Sequence, residues 1–138
     1  MNKEIDLNKL IDKAKEAREQ AYAPYSNFLV GAAIVGESGK FYTGCNIENS
    51  SFGLSICAER VALFKAVSEG EKKIKMLALV TNTKTLIWPC GGCRQVLSEF
   101  GGETQVIVAS TDGELLMETS VSDLLPGAFG PTNLPSKA

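Results

Sequence analysis

Cys57-Ala58-Glu59-Arg60 and, one strand further on, Pro89-Cys90-Gly91-Gly92-Cys93-Arg94 are the two segments around which the chain is organised. Each opens a run of helical pattern. The nearly continuous apolar stretch 74–81 between them has strand length, so the three read as helix, buried strand, helix. Three cysteines so placed can present three thiolates to one tetrahedral metal and leave its fourth position for water, the pattern of a catalytic centre. A closed structural site takes four protein ligands, and in a chain without histidine the remaining soft ligand is Cys45. Glu59, two residues past a thiolate, is the candidate proton carrier. Water on zinc, an adjacent carboxylate and no histidine describe a hydrolytic zinc enzyme whose acid and base are one glutamate.

Working outward, Leu7, Leu10, Ile11, Ala14, Ala17, Arg18 and Ala21 recur at helical spacing and predict an amphipathic helix over 8–21. Pro24-Tyr25-Ser26-Asn27 breaks it, and strands follow over 28–35 and 41–45 around the turn residues Gly36-Glu37-Ser38-Gly39. Residues 46–56 are too rich in Asn, Ser and Gly for regular structure, and such a loop carries function more often than core. Helices are expected over 58–67 and 90–100, the first stopped by Ser68-Glu69-Gly70 and the second by Gly101-Gly102. Strands over 105–109 and 114–118 flank the Thr111-Asp112-Gly113 turn, and a short helix over 120–125 leads into a loose tail from about 131. The order α-β-β-α-β-α-β-β-α predicts one α/β domain over 1–138: three layers, with a mixed five-stranded sheet between helices.

Composition narrows the function. A chain of 138 residues, 44% hydrophobic and 22% charged, can bury one core and is not a disordered segment. Its 14 basic and 16 acidic residues are mixed along the chain, for a net charge of −2. No basic patch fits a nucleic-acid polymer, which leaves a small, near-neutral ligand. The N-terminal stretch lacks the apolar core of a signal peptide, and no apolar run approaches the roughly 18 residues of a membrane span, so a cytoplasmic location is expected. In a reducing cytosol four cysteines read as ligands or thiols before they read as a disulfide framework.

Both cysteine segments begin helices, whose unpaired N–H groups and dipole favour a thiolate. Three thiolates on Zn²⁺ nevertheless leave a net negative centre that weakens the metal's pull on its water, so a nearby cation is required. Arg60 can turn its guanidinium to a ligand sulfur, with Arg94 the weaker candidate for the same work. Three plainer readings stand beside this one. The Cys-x-x-Cys can be a redox pair, the four cysteines can close a structural zinc site in a binding module, and Glu59 and Arg60 can be solvated helix residues. Phe28, Phe52 and Phe129, each taken alone, also read as core.

Cys57-Ala58-Glu59 with Pro89-Cys90-Gly91-Gly92-Cys93 resembles the zinc-deaminase signature, in which zinc-activated water attacks C4 of a cytosine ring and a glutamate that is not a ligand shuttles the protons. Three further stretches are similar to the small homotetrameric cytidine deaminases: the run from Ala23-Pro24-Tyr25-Ser26-Asn27-Phe28 to Ala33, Gly44-Cys45-Asn46-Ile47-Glu48-Asn49, and Leu124-Leu125-Pro126-Gly127-Ala128-Phe129. The resemblance runs from about residue 9 to 130. It implies one Zn²⁺ per chain on Cys57, Cys90 and Cys93, Glu59 as proton shuttle, and the backbone of Ala58 near the pyrimidine carbonyl or amide. It also implies Phe28 packed on the base and Asn46 and Glu48 on the ribose hydroxyl, with Ser50, Phe52 and Phe129 reaching in from neighbouring protomers. The implied reaction is hydrolytic deamination of cytidine and 2'-deoxycytidine to uridine and 2'-deoxyuridine plus ammonia, in pyrimidine salvage. Two positions depart from the pattern: Phe52 stands where a tyrosine is usual, and Trp88 where a small residue is common. A related aminopyrimidine nucleoside such as blasticidin S is the alternative substrate, and the intact Asn46-Ile47-Glu48 pattern stands against it.

Overall fold

The computed structural model describes residues 5–135. Its elements follow the expected order: α1 (Leu7–Arg18), β1 (Val30–Gly36), β2 (Phe41–Cys45), α2 (Ala58–Ser68), β3 (Ile74–Thr81), α3 (Gly91–Glu99), β4 (Gln105–Ser110), β5 (Leu116–Ser120) and α4 (Val121–Leu124). The five strands form one mixed sheet in the order β2-β1-β3-β4-β5. β1 is antiparallel to both β2 and β3, β3 and β4 are parallel, and β5 closes the sheet antiparallel to β4.

Strand period distributes the core between the two faces. Ala33, Val35, Ala78, Val80, Ile107 and Ala109 lie under the α1 residues Leu10, Ile11 and Ala14. Their neighbours in sequence, Ala32, Ile34, Leu77, Leu79, Val106 and Val108, face the other way and bury against Ala62, Leu63 and Ala66 of α2, Leu97 of α3 and Val121 of α4. One helix therefore covers one face and three the other, which makes the three-layer architecture. Each fully buried Leu, Ile or Val contributes about 1.5–3 kcal/mol by removing its surface from water.

Two glycines set how closely the helices sit. A Cβ at Gly31 would lie 1.9 Å from the Ala14 carbonyl oxygen, so α1 rests directly on the β1 backbone. At Gly44 it would lie 2.5 Å from the Ala62 nitrogen and 2.6 Å from the Ala58 carbonyl oxygen, so the first turn of α2 is pressed onto β2. That contact places Cys57, the residue capping α2.

Topology then brings the two cysteine segments together. β2 and β3 are each antiparallel to β1 and so run in the same direction, and α2 follows the carboxyl end of one while α3 follows the carboxyl end of the other. Both helix N-termini therefore open at the same edge of the sheet, where ligands of open α/β folds bind.

Several boundaries differ from the sequence expectation. α1 stops at Arg18 because Glu19, Gln20 and Ala21 donate to carbonyls three residues back, a tightened last turn. β1 begins at Val30, since the peptide of Phe28 is held by side chains: Ser26 Oγ accepts from its N–H and Asn46 Nδ2 donates to its carbonyl. The last strand is shifted to Leu116–Ser120 because the Glu114 N–H is taken by the Asp112 carboxylate inside the turn. The 46–56 loop is irregular apart from one 3-10 turn at Phe52–Leu54 and bridges from Ile47 to Tyr22 and Ile56, and the tail holds a second such turn at Pro131–Asn133.

Candidate active site

Cys57 caps α2, Cys90 caps α3, and Cys93 lies in the first turn of α3. Their three Sγ atoms lie within 4.8 Å of one another, with Cys57 and Cys90 3.9 Å apart. Zn–S bonds of about 2.3 Å at tetrahedral angles separate sulfurs by about 3.8 Å, so the spacing is that of a shared metal. Cys45 ends β2 opposite Gly31 and is not among these donors; burial pushes its thiol up. The closed four-cysteine centre is thus not formed among the described residues, and the three donors match a zinc site with an open fourth position.

The electrostatics suit an anion cluster that runs from exposed Cys90 through half-buried Cys57 to buried Cys93. Hydrogen bonding with Cys93, followed by the Arg60 guanidinium, lowers Cys57 to about 5 against the opposing effect of its burial. Cys93 is pushed up, chiefly because it donates to Cys57 and because it is buried. Arg60 Nη2 donates to Cys57 Sγ at 3.4 Å, and its buried Nε has no acceptor among the described residues. Arg94 does different work. Its Nε donates to the Pro89 carbonyl at 2.8 Å and its Nη1 to the Leu124 carbonyl at 3.0 Å, so it braces the loop before Cys90 against α4 and donates to no sulfur. The expectation that it shares the role of Arg60 is corrected on that ground.

Glu59 follows Ala58 in the first turn of α2 and is 5% exposed. Burial raises its carboxyl above the ordinary carboxylate range, and the charge on Cys57 adds to the shift. A carboxyl so raised takes up and gives back a proton nearer neutrality than a solvated one does.

These groups open into a cavity of about 260 Å³. Its lining comes from the two helix starts (Cys57, Ala58, Glu59 and Cys90, here its floor), from apolar Val30, Leu79, Ile87 and Trp88, and from the turn and loop (Phe28, Asn46 and Glu48, here its rim). Phe28 is 37% exposed. Asn46 Oδ1 accepts from the Val30 N–H at 2.9 Å while its Nδ2 donates to the Phe28 carbonyl at 2.7 Å, so the amide clamps the strand entrance with one donor and one lone pair to spare. Glu48 accepts from the N–H groups of Tyr25 and Ser26 at 2.9 and 3.1 Å and from the Ser26 hydroxyl. The Ser26 hydrogen bond leads in holding its carboxyl below the ordinary value.

The other expected residues are not at their own chain's cavity. Phe52 is 73% exposed, with its ring edge-on to Tyr25 at 5.7 Å, in an adjoining groove with Ser26, Glu48 and Ser55. Ser50 is exposed nearby. Phe129, 60% exposed, lies at a separate groove beside α4, and its carbonyl accepts from Gln95 Nε2. Sequence reasoning passed over Ser55, Thr81 and Ile87, which also line the cavity. Thr81 was within reach of the period-two pattern, as it ends the face begun by Leu77 and Leu79 at the carboxyl edge of β3.

Residues 5–110 match the family model of the cytidine and deoxycytidylate deaminase zinc-binding region. The chain belongs to this deaminase family. It is 51% identical to a cytidine deaminase of Sporosarcina psychrophila, across 94% of this chain and 96% of the relative. It is 49% identical to one of Halalkalibacterium halodurans, across 91% and 95%. The crystal structure of the cytidine deaminase from Burkholderia pseudomallei superposes with a TM-score of 0.85 at 49% identity, covering 89% of this chain and 98% of that one. The protein is accordingly a hydrolytic deaminase with the family's α/β fold and one zinc per chain, which sets aside the redox pair and the non-catalytic zinc module. Relatives named as cytidine deaminases do not favour the blasticidin-type alternative. No helix among the described residues is long and apolar enough to cross a membrane.

Proposed function

We propose that the protein hydrolyses the 4-amino group of cytidine and 2'-deoxycytidine, giving uridine and 2'-deoxyuridine plus ammonia. The observation that carries this reading is the convergence of three sulfurs, two of them from cavity-lining Cys57 and Cys90, with one buried carboxyl at a cavity that Phe28, Asn46 and Glu48 also line. Zinc held by Cys57, Cys90 and Cys93 supplies the Lewis acidity that activates water near neutral pH. Glu59 takes one proton from that water as the water oxygen bonds to C4 and passes it to ring N3, then takes the second proton from the new C4 hydroxyl and delivers it to the amino nitrogen as the C4–N bond breaks. Ammonia leaves, and the ring keeps the oxygen as its new carbonyl.

The remaining residues bind and orient. Phe28 packs on the base, the Ala58 backbone meets the pyrimidine carbonyl, and Asn46 and Glu48 use their spare hydrogen-bonding capacity on the ribose hydroxyl. Arg60 offsets negative charge at Cys57. No Lys or Arg among the described residues lines the cavity or the adjoining groove, and Glu48 borders both, which favours an uncharged nucleoside over a phosphorylated one. We place Ser50, Phe52 and Phe129 in the pockets of neighbouring protomers of a homotetramer. Their absence from the chain's own cavity supports this, as does the exposed apolar surface of Tyr22, Tyr25, Ile47, Phe52 and Leu54. A single-domain enzyme of cytoplasmic pyrimidine salvage is the setting that fits thiolate ligands and a nucleoside substrate.

Incubation of the zinc-replete protein with cytidine, followed by ultraviolet absorbance and ammonia release, tests the reading. Stoichiometric uridine and ammonia are expected. No conversion refutes it, and free cytosine turned over as efficiently as cytidine reassigns the protein as a base deaminase.

A further inference from the structure

The turn that carries Phe28 is held from both sides by polar side chains. Asn27 adopts a left-handed backbone with φ 58°, uncommon outside glycine, and such a conformation persists only where its surroundings over-determine it. Here the Asn27 N–H donates to the Ala23 carbonyl at 2.9 Å, the Phe28 carbonyl accepts from Asn46, and the Phe28 N–H donates to Ser26 Oγ at 3.1 Å. The same Ser26 hydroxyl donates to Glu48 Oε2, while the N–H groups of Tyr25 and Ser26 occupy Oε1. Among the described residues Ser26 is therefore the one side chain bonded both to the peptide of the aromatic residue on the rim and to the carboxylate beside it.

We infer that Ser26 is a positioning residue that couples the sugar-reading carboxylate of Glu48 to the base-side ring of Phe28; the inference rests on the nucleoside reading above. A carboxylate anchored at one oxygen alone can turn about its last torsion, which is broad for Glu. The Ser26 hydroxyl anchors the second oxygen and leaves one of its lone pairs for a substrate hydroxyl. Because the hydroxyl accepts from Phe28 as it donates to Glu48, displacement of either end is felt at the other. A nucleoside, which engages both ends, benefits from this coupling; a free base does not.

The test is steady-state kinetics of Ser26→Ala, Ser26→Thr, Glu48→Ala and the Ser26→Ala/Glu48→Ala pair on cytidine, with zinc content and thermal unfolding measured alongside. Loss of a hydrogen bond to a charged group predicts a fall in kcat/KM of about tenfold for Ser26→Ala, mainly in KM, with zinc content unchanged. Ser26→Thr, which keeps the hydroxyl, restores the rate to within about threefold. In the Glu48→Ala background the Ser26→Ala loss shrinks to less than about twofold, because its partner is already gone. An unchanged kcat/KM in Ser26→Ala, or a loss that simply adds to that of Glu48→Ala, overturns the coupling. An inactive wild type overturns the deaminase reading and this inference with it, whereas an active wild type beside an unaffected Ser26→Ala overturns this inference alone.

Discussion

The floor and the rim of the cavity are built by opposite means. The floor is two helix starts seated on buried strands: Ala58 and Cys93 have no exposed surface, and Gly44 lets α2 touch the β2 backbone. The rim is an exposed turn with one left-handed residue, Asn27, and a loop whose Asn46 and Glu48 are half-buried, fastened to each other by the side chains of Ser26, Asn46 and Glu48. Chemistry with a fixed metal geometry needs the first kind of support, because a small misplacement of a catalytic group costs rate steeply. Recognition of the sugar rests on the second, where side-chain hydrogen bonds, rather than strand packing, hold the Glu48 carboxylate and the Phe28 peptide in place. The same contrast separates the two arginines that follow the cysteine segments. Arg60 points its guanidinium at a sulfur of the floor, and Arg94 spends its donors on carbonyls that brace the loop leading to it.

Variants on the two regions should therefore fail differently, and Glu59→Gln should fail most. Removing the proton carrier from the floor should lower kcat by roughly 10²–10⁴ while zinc content and product binding persist. Activity retained within severalfold would take Glu59 out of the mechanism and erase the distinction. Next in size is Glu48→Ala on the rim, expected to cost about a hundredfold in kcat/KM for cytidine and little for free cytosine. Equal losses on nucleoside and base would mean that the rim does not read the sugar.

Arg60→Gln should lower turnover by on the order of tenfold, in the range seen when groups that tune metal ligands are removed, with the fold intact. An unchanged rate and zinc affinity would make Arg60 a bystander like any solvated helix residue. The smallest effect belongs to Cys45→Ala, which should keep one zinc per chain and activity within about twofold, because its thiol stands outside the sulfur cluster. Metal analysis showing zinc loss in that variant would restore the four-cysteine reading.

Much of the floor was legible before the structure. Residue type names the donors, and the helix-start pattern at Cys57 and Cys90 follows from apolar spacing, a local property. The buried strand over 74–81 matches β3, since a run flanked by helices and covered on both faces has no polar alternation to misread. The rim was legible only in its residues. Asn46 and Glu48 were recognisable as polar groups suited to a sugar, yet their grip on the backbone of residues 25–30 depends on a contact between segments some twenty residues apart, as does the late start of β1 at Val30.

The amino-acid sequence by itself determined the chemistry available to this protein: three thiol ligands, one adjacent carboxyl, no histidine, and the order of helices and strands, because each follows from residue identity or short-range period. Residue identity and resemblance had singled out the cysteine left aside, the arginine aimed at a sulfur and the residues assigned to another pocket, but tertiary structure supplies the geometry that separates Cys45 from the sulfur cluster, turns Arg60 to Cys57 and keeps Phe52 and Phe129 away from the chain's own cavity. These depend on β2 and β3 both running antiparallel to β1, which brings two helix starts 33 residues apart to the same edge of the sheet with their sulfurs 3.9 Å from each other. No periodicity within either segment encodes that meeting, because the strand that aligns them is a third segment, and only packing in three dimensions brings the three together.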